Sequence, residues 1–173
     1  MSGAKAAKSA EAATITIDPT AASAGVGLPQ ALQDLSIRIV EETHVRASVA
    51  TTFEALLEEL GPENKGYEGV PMPLTLEAWP GGRWFRDLGN GNGHLWGHVQ
   101  AIKRPNLIEI VGPLMMSFAV ASNVQYRLTP KDGGTLITLH HTALGLFPDG
   151  YREALTQGFP LVLDRVKRRL EQA

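Results

Sequence analysis

The chain contains no cysteine. Disulfide scaffolds, thiol catalysis and cysteine-ligated zinc are therefore excluded, and a cytoplasmic location fits that absence. Charge of one sign is also lacking. The formal net charge is −2, which gives no electrostatic reason to expect nucleic acid or an anionic membrane. No apolar run approaches the roughly 18 residues of a membrane span. Lys5 and Lys8 are followed by Ala, Ser and Glu instead of the apolar block of a signal peptide. There is no Gly-x-Ser-x-Gly nucleophile elbow. There is no internal repeat, and strands do not alternate with helices, which disfavours parallel βαβ folds.

What the chain does have is enough apolar material for one core. Hydrophobic residues make up 43% of 173 residues, a length at which one domain buries roughly 68–70% of its unfolded surface. Residues 1–34 differ from the rest. They are rich in Ala, Ser, Thr and Gly and lack aromatics, so they read as a flexible extension that adds little to stability. Within them Thr14 to Ile17 is a candidate short strand, and Leu28 to Leu35 a candidate helical turn. The folded domain is expected over residues 35–173.

Leu35 to Arg46 alternates as a strand, with Ile37, Ile39 and Glu41 on one face. Ser48 is placed to cap a helix over VATTFEALLEEL, which Gly61-Pro62 ends. Asn64 to Pro73 is a Gly/Pro-broken connection. Strands follow over Leu74 to Ala78, Arg83 to Leu88, His94 to Lys103, Leu107 to Val111, Met115 to Ala121, Asn123 to Thr129 and Leu136 to Leu144. Pro80-Gly81-Gly82, Gly89 to Gly93 and Asp132-Gly133-Gly134 turn the chain between strands. The Gly89 to Gly93 run superficially suggests a phosphate loop, but it lies between two strands with no helix following.

The last helix spans about Tyr151 to Glu171, with Phe159, Val162, Leu163, Val166 and Leu170 as its apolar stripe. Gly158 and Pro160 are expected to bend or open it. Lys167, Arg168 and Arg169 read as a solvated helix end suited to the helix dipole. The order is strand, helix, about six antiparallel strands, helix. That is an α+β domain in which a curved antiparallel sheet wraps a long C-terminal helix, leaving a cavity between them.

Several short motifs occur in order. They are Val45-Arg46-Ala47 before a helix with Phe53, Pro80-Gly81-Gly82-Arg83-Trp84, Trp96-Gly97-His98-Val99 before Pro105, Gly134-Thr135 before Leu136 to Leu139, and Gly158-Phe159 ahead of Leu163. With them the stretch from about Ser36 to Glu171 resembles the START-like helix-grip (SRPBCC) superfamily, nearest its activator-of-heat-shock-protein-90-ATPase-like branch. Two positions depart from the family pattern. Ser48 stands where a proline is usual, and Phe159 where a tryptophan is frequent. The resemblance implies a helix-grip fold that holds a hydrophobic molecule between sheet and helix. It also implies that some members cyclise or dehydrate their ligand.

The expected function is thus binding of a small hydrophobic ligand, with no cofactor. The alternatives are a cyclase or dehydratase acting on an aromatic or polyketide-like ligand, and a co-chaperone or other interaction module. A homodimer is an allowed assembly. The expected pocket lining is Trp84, Trp96, Met115, Tyr126, His141 and Phe159. The faces of Trp84 and Trp96 are ambiguous, because Phe85 and Leu95 are apolar on the opposite sides. Glu41 and His141 are the candidate catalytic pair, set against a reading of His141 and Tyr126 as plain core. No metal site is expected. His94, Trp96 and His98 are expected on one side of a strand, which puts the two histidines, i and i+4, about 13 Å apart, and His140 and His141 point to opposite faces.

Overall fold

The structure, a computed structural model, describes residues 30–66 and 68–172. The elements run in chain order as α1 (Gln30–Asp34), β1 (Ser36–Val45), α2 (Val49–Leu60), β2 (Thr75–Leu76), β3 (Arg83–Gly89), β4 (Asn92–Lys103), β5 (Leu107–Gly112), β6 (Val120–Lys131), β7 (Gly134–Gly145), α3 (Tyr151–Gly158) and α4 (Pro160–Glu171). The strands form one antiparallel sheet in the order β1-β7-β6-β5-β4-β3-β2. This is the curved α+β architecture expected from the sequence, with the terminal helical segment against the sheet. Residues 1–29 of the expected extension, including the candidate strand at 14–17, lie outside the described residues.

Local chemistry accounts for the elements. The Ser48 hydroxyl accepts the Thr51 N–H at 3.2 Å and caps α2, one of the donors a helix start leaves unpaired. Two hairpins turn through left-handed pairs, Asn90-Gly91 and Asp132-Gly133. Positive φ at both central residues suits a two-residue hairpin. The strands therefore run closer to their turns than the sequence suggests. Lys131 pairs with Gly134, and Gly89 with Asn92.

Two expectations need correction. Met115 to Ala121 is not a strand. Residues 113–119 form a loop, with β6 starting at Val120. Gly112 at φ 151° and a left-handed Leu114 turn the chain, and the Leu114 N–H donates to the Trp96 carbonyl at 2.7 Å. The apolar alternation there is a loop that tucks Leu114 and Met116 into the core. As expected from Gly158 and Pro160, the terminal helix opens into two segments, because Pro160 brings no N–H to the ladder and α4 begins at that residue. Finally, His94, Trp96 and His98 do not share a face. The ladder shifts between the Phe85–Leu95 and Trp84–Gly97 pairs, a bulge that leaves Trp96 buried and both histidines exposed.

One core joins both layers. Ile37, Ile39, Val45, Phe53, Leu56, Val124, Leu128, Ile137 and Leu139 meet Leu155, Phe159, Val162, Leu163 and Val166. Among the described residues no helix is long and apolar enough to cross a membrane.

Candidate functional site: a cavity between tryptophans and the terminal helix

The bulge in β4 turns Trp96 inward beside Trp84, so both indoles are buried. The rings meet edge to face with centroids 5.0 Å apart, a favoured aromatic geometry. The Trp84 indole N–H donates to the Leu60 carbonyl at 2.6 Å, tying the pair to the end of α2. That resolves the ambiguity of faces. Leu95 is the outward residue, 50% exposed.

Opposite the tryptophans run α3 and the start of α4. Between them lies a cavity of about 260 Å³. Trp84, Trp96, Met115, Tyr126 and Phe159 all line it, joined by Tyr151, Leu155 and Val162. Met72 and Asn64 close one side. Asn64 holds that connection with a side-chain N–H to the Met72 carbonyl at 3.0 Å. The wall is mostly apolar, and its residues with polar groups include Tyr126 and Arg165.

Tyr126 is fully buried, and its hydroxyl has no hydrogen-bond partner among the described residues. Desolvation raises its pKa well above the ordinary tyrosine value, and the nearby Arg165 charge opposes this only in part. Tyr151, half-buried against Phe118 with ring centroids 4.8 Å apart, is shifted upward by burial as well.

His141 does not line the cavity. It is fully buried behind Phe159, ring centroids 4.1 Å apart. Neither ring nitrogen has a partner among the described residues, and desolvation lowers its pKa from 6.5 to about 4. Glu41 shares the inward face of β1, paired across to Leu139, while His141 sits opposite Ile39. No hydrogen bond joins Glu41 to His141, so the pair does not form an acid–base couple. Their spacing along alternate positions was legible, but a shared face did not bring their polar atoms into contact.

Sequence reasoning missed Tyr151, Leu155 and Arg165. The first two extend the Phe159 stripe backward by four and eight residues, a signal that was present in the spacing. Arg165 carried no such signal. It is a charged residue inside the stripe, held there by a buried carboxylate. Glu59 of α2 is 4% exposed and accepts Arg165 Nε and Arg169 Nε, each at 3.1 Å. Arg169 also meets Glu58 at 2.5 Å and Glu63 at 3.3 Å. The helix end read as solvated is thus partly a clasp between α4 and α2. Among the described residues, no group of three or more His, Asp or Glu is placed to hold a metal.

The sheet order, the terminal helix on its inner side and the cavity between them can be set beside solved structures. An uncharacterized protein from Rhizobium leguminosarum matches with a TM-score of 0.62 at 21% identity, over 80% of this chain and 96% of that one. Ara h 8.0201 matches with a TM-score of 0.57 at 14% identity, over 80% of this chain and 99% of that one. The chain has the START-like helix-grip fold. The di-domain ARO/CYC StfQ from the steffimycin biosynthetic pathway carries the fold too. It matches with a TM-score of 0.59 at 14% identity, over 83% of this helix-grip chain and 53% of the di-domain. At these identities the likeness is one of fold. No family model and no curated protein matches the helix-grip sequence.

Proposed function

We propose that this protein binds a small hydrophobic molecule in the cavity between the two tryptophans and the terminal helix. The observation that carries the reading is a mostly apolar cavity of about 260 Å³ walled by Trp84, Trp96, Leu155 and Phe159. Ligand sites are concave and apolar with a few orienting polar groups, and Tyr126 and Arg165 supply those here. A co-chaperone role would call for an exposed apolar docking face in place of an enclosed one. The test is native mass spectrometry of protein purified from its own host, paired with titration of a neutral fluorescent naphthylamine. A retained small molecule or saturable probe binding, weakened by Phe159→Ala, supports the reading. Absence of both retained ligand and probe binding refutes it.

One observation favours a second reading, in which the bound molecule is also transformed, as the ARO/CYC description of StfQ suggests for that protein. Tyr126 lines the cavity and carries a hydroxyl with no partner among the described residues, the kind of proton donor a ligand carbonyl or hydroxyl would use. In this reading the hydroxyl donates to that oxygen while the aromatic walls hold the ring to be closed or dehydrated. Incubation of the retained molecule with fresh protein, followed by mass analysis, separates the two. An unchanged mass rules out dehydration, and an unchanged absorption spectrum rules out ring closure with aromatisation.

A further inference from the structure

The cavity leads into a charged depression. Lys65, Gly66, Leu161 and Arg165 wall both the cavity and an outer, more open hollow of about 570 Å³. Glu59, Arg168 and Arg169 also line that hollow. Four cations thus face one carboxylate there. Their pairing sorts them into two kinds. Arg169 is engaged by Glu58, Glu59 and Glu63. Arg165 gives its Nε to Glu59, one of the five N–H donors of a guanidinium. Lys65 and Arg168 make no ion pair among the described residues, and both are exposed. Among the described residues, the only side-chain bond of Arg168 runs to the Asp164 carbonyl of its own helix at 3.3 Å.

A second observation lies deeper. Tyr126 lines the cavity together with Arg165, and its hydroxyl is buried and lacks a partner among the described residues. A buried donor left unmade costs roughly 1–3 kcal/mol. An acceptor on a bound molecule would satisfy it. A neutral apolar ligand leaves both this hydroxyl and the unpaired cations unused, and a cationic ligand is repelled at the mouth.

We propose that the ligand is an amphipathic anion. A compact apolar body lies between Trp84, Trp96 and Phe159, and a carboxylate or sulfonate-like oxyanion sits at Arg165. Lys65 and Arg168 draw it in, and Tyr126 donates to one of its oxygens. This rests on the binding reading above and names the ligand class for the same site. The cavity volume limits the buried body to a ring system or a short chain, since drug-sized ligands occupy roughly 300–1,000 Å³. Oxyanions accept charge-assisted hydrogen bonds that are about twice as strong as neutral ones.

The test uses two fluorescent probes with the same apolar body, neutral N-phenyl-1-naphthylamine and anionic 8-anilino-1-naphthalenesulfonate, titrated against the full chain. The wild type is expected to bind the sulfonate about tenfold more tightly at low salt, the gap narrowing as salt screens the rim. Lys65→Gln with Arg168→Gln lowers sulfonate affinity about fivefold and leaves the neutral probe unchanged. Tyr126→Phe lowers sulfonate affinity several-fold, again without effect on the neutral probe. None of these side chains has a protein partner whose loss would unfold the domain, and near-UV circular dichroism checks that. Neutral-probe binding as tight as or tighter than sulfonate binding overturns the anion assignment while leaving the binding reading intact. So does a sulfonate preference that survives all three substitutions. If neither probe binds, the binding reading falls and the anion assignment falls with it.

Discussion

Around Val45, Phe53, Leu56, Ile137 and Val166 no side chain exposes measurable surface, while around Trp84, Trp96, Met115 and Phe159 the same two layers stand apart by a cavity of about 260 Å³. Both regions are apolar, so hydrophobicity alone does not separate them. They differ in the elements that meet. At the packed end α4 lies on α2 and β1, and the Glu59 clasp fixes the spacing. At the cavity end the short α3 and the 113–119 loop face a bulged strand. Regular elements there give way to irregular ones, and large rings on both sides hold the layers apart. A cavity survives where side chains are too bulky to interdigitate, because close packing elsewhere carries the stability.

Mutations sharpen this contrast. Phe53→Ala strikes the packed end, and the loss should reach about 4 kcal/mol, within the range for a buried phenylalanine. Probe affinity should remain at the wild-type value. Chemical denaturation with parallel probe titration reads both quantities, and a marked loss of probe affinity would erase the distinction between the ends. Phe159→Ala strikes the cavity end. One side of its ring already faces empty space, so the stability loss falls near the low end of that range, about 3 kcal/mol. Here probe affinity should drop roughly tenfold, and the tryptophan emission response to the probe should weaken with it.

The third expectation concerns pH. The buried His141 imidazole takes a proton near pH 4, whereas an unfolded histidine does so near 6.5. Between those values the unfolded chain binds more protons, so stability falls as pH is lowered through the window. The contribution is on the order of 3–4 kcal/mol at roughly 1.4 kcal/mol per pKa unit. His141→Leu should flatten that part of the profile. A variant as acid-sensitive as the wild type would show that His141 is not the titrating group.

The smallest effect is expected from Tyr126→Phe. Its hydroxyl has no partner to lose among the described residues, so stability should rise, by up to the roughly 1–3 kcal/mol that a buried unmade donor costs. A large loss would reveal a partner for that hydroxyl.

The same contrast marks what the sequence could reveal. Period-two alternation at Ile37 and Ile39, and at Val124, Tyr126 and Leu128, identified the inward faces, because a half-buried strand must alternate. The stripe through Phe159 and Val162 identified the gripping helix for the same kind of reason. The bulge at Trp96 was not legible, since it depends on how two strands register and not on either alone. Nor was the loop at 113–119, where burial of Leu114 and Met116 imitates a strand. Nothing in the local sequence marks Glu59 as buried. Its burial depends on two arginines more than a hundred residues away.

The break at Phe159–Pro160 has a consequence for motion. Helix α3 is anchored by one fully buried side chain, Leu155. Helix α4 is anchored by Val162, Leu163 and Val166 and by the Glu59 ion pairs. Opening free energies follow such local anchoring, so α3, held otherwise by Arg152 hydrogen bonds to the Ser36 and Asp34 carbonyls, is expected to open before α4. Amide protons of Arg152 to Gln157 should then exchange with deuterated water well before those of Leu163 to Arg169. Because Tyr151, Leu155 and Phe159 wall the cavity, each such opening also uncovers its interior, making this one segment both cover and doorway.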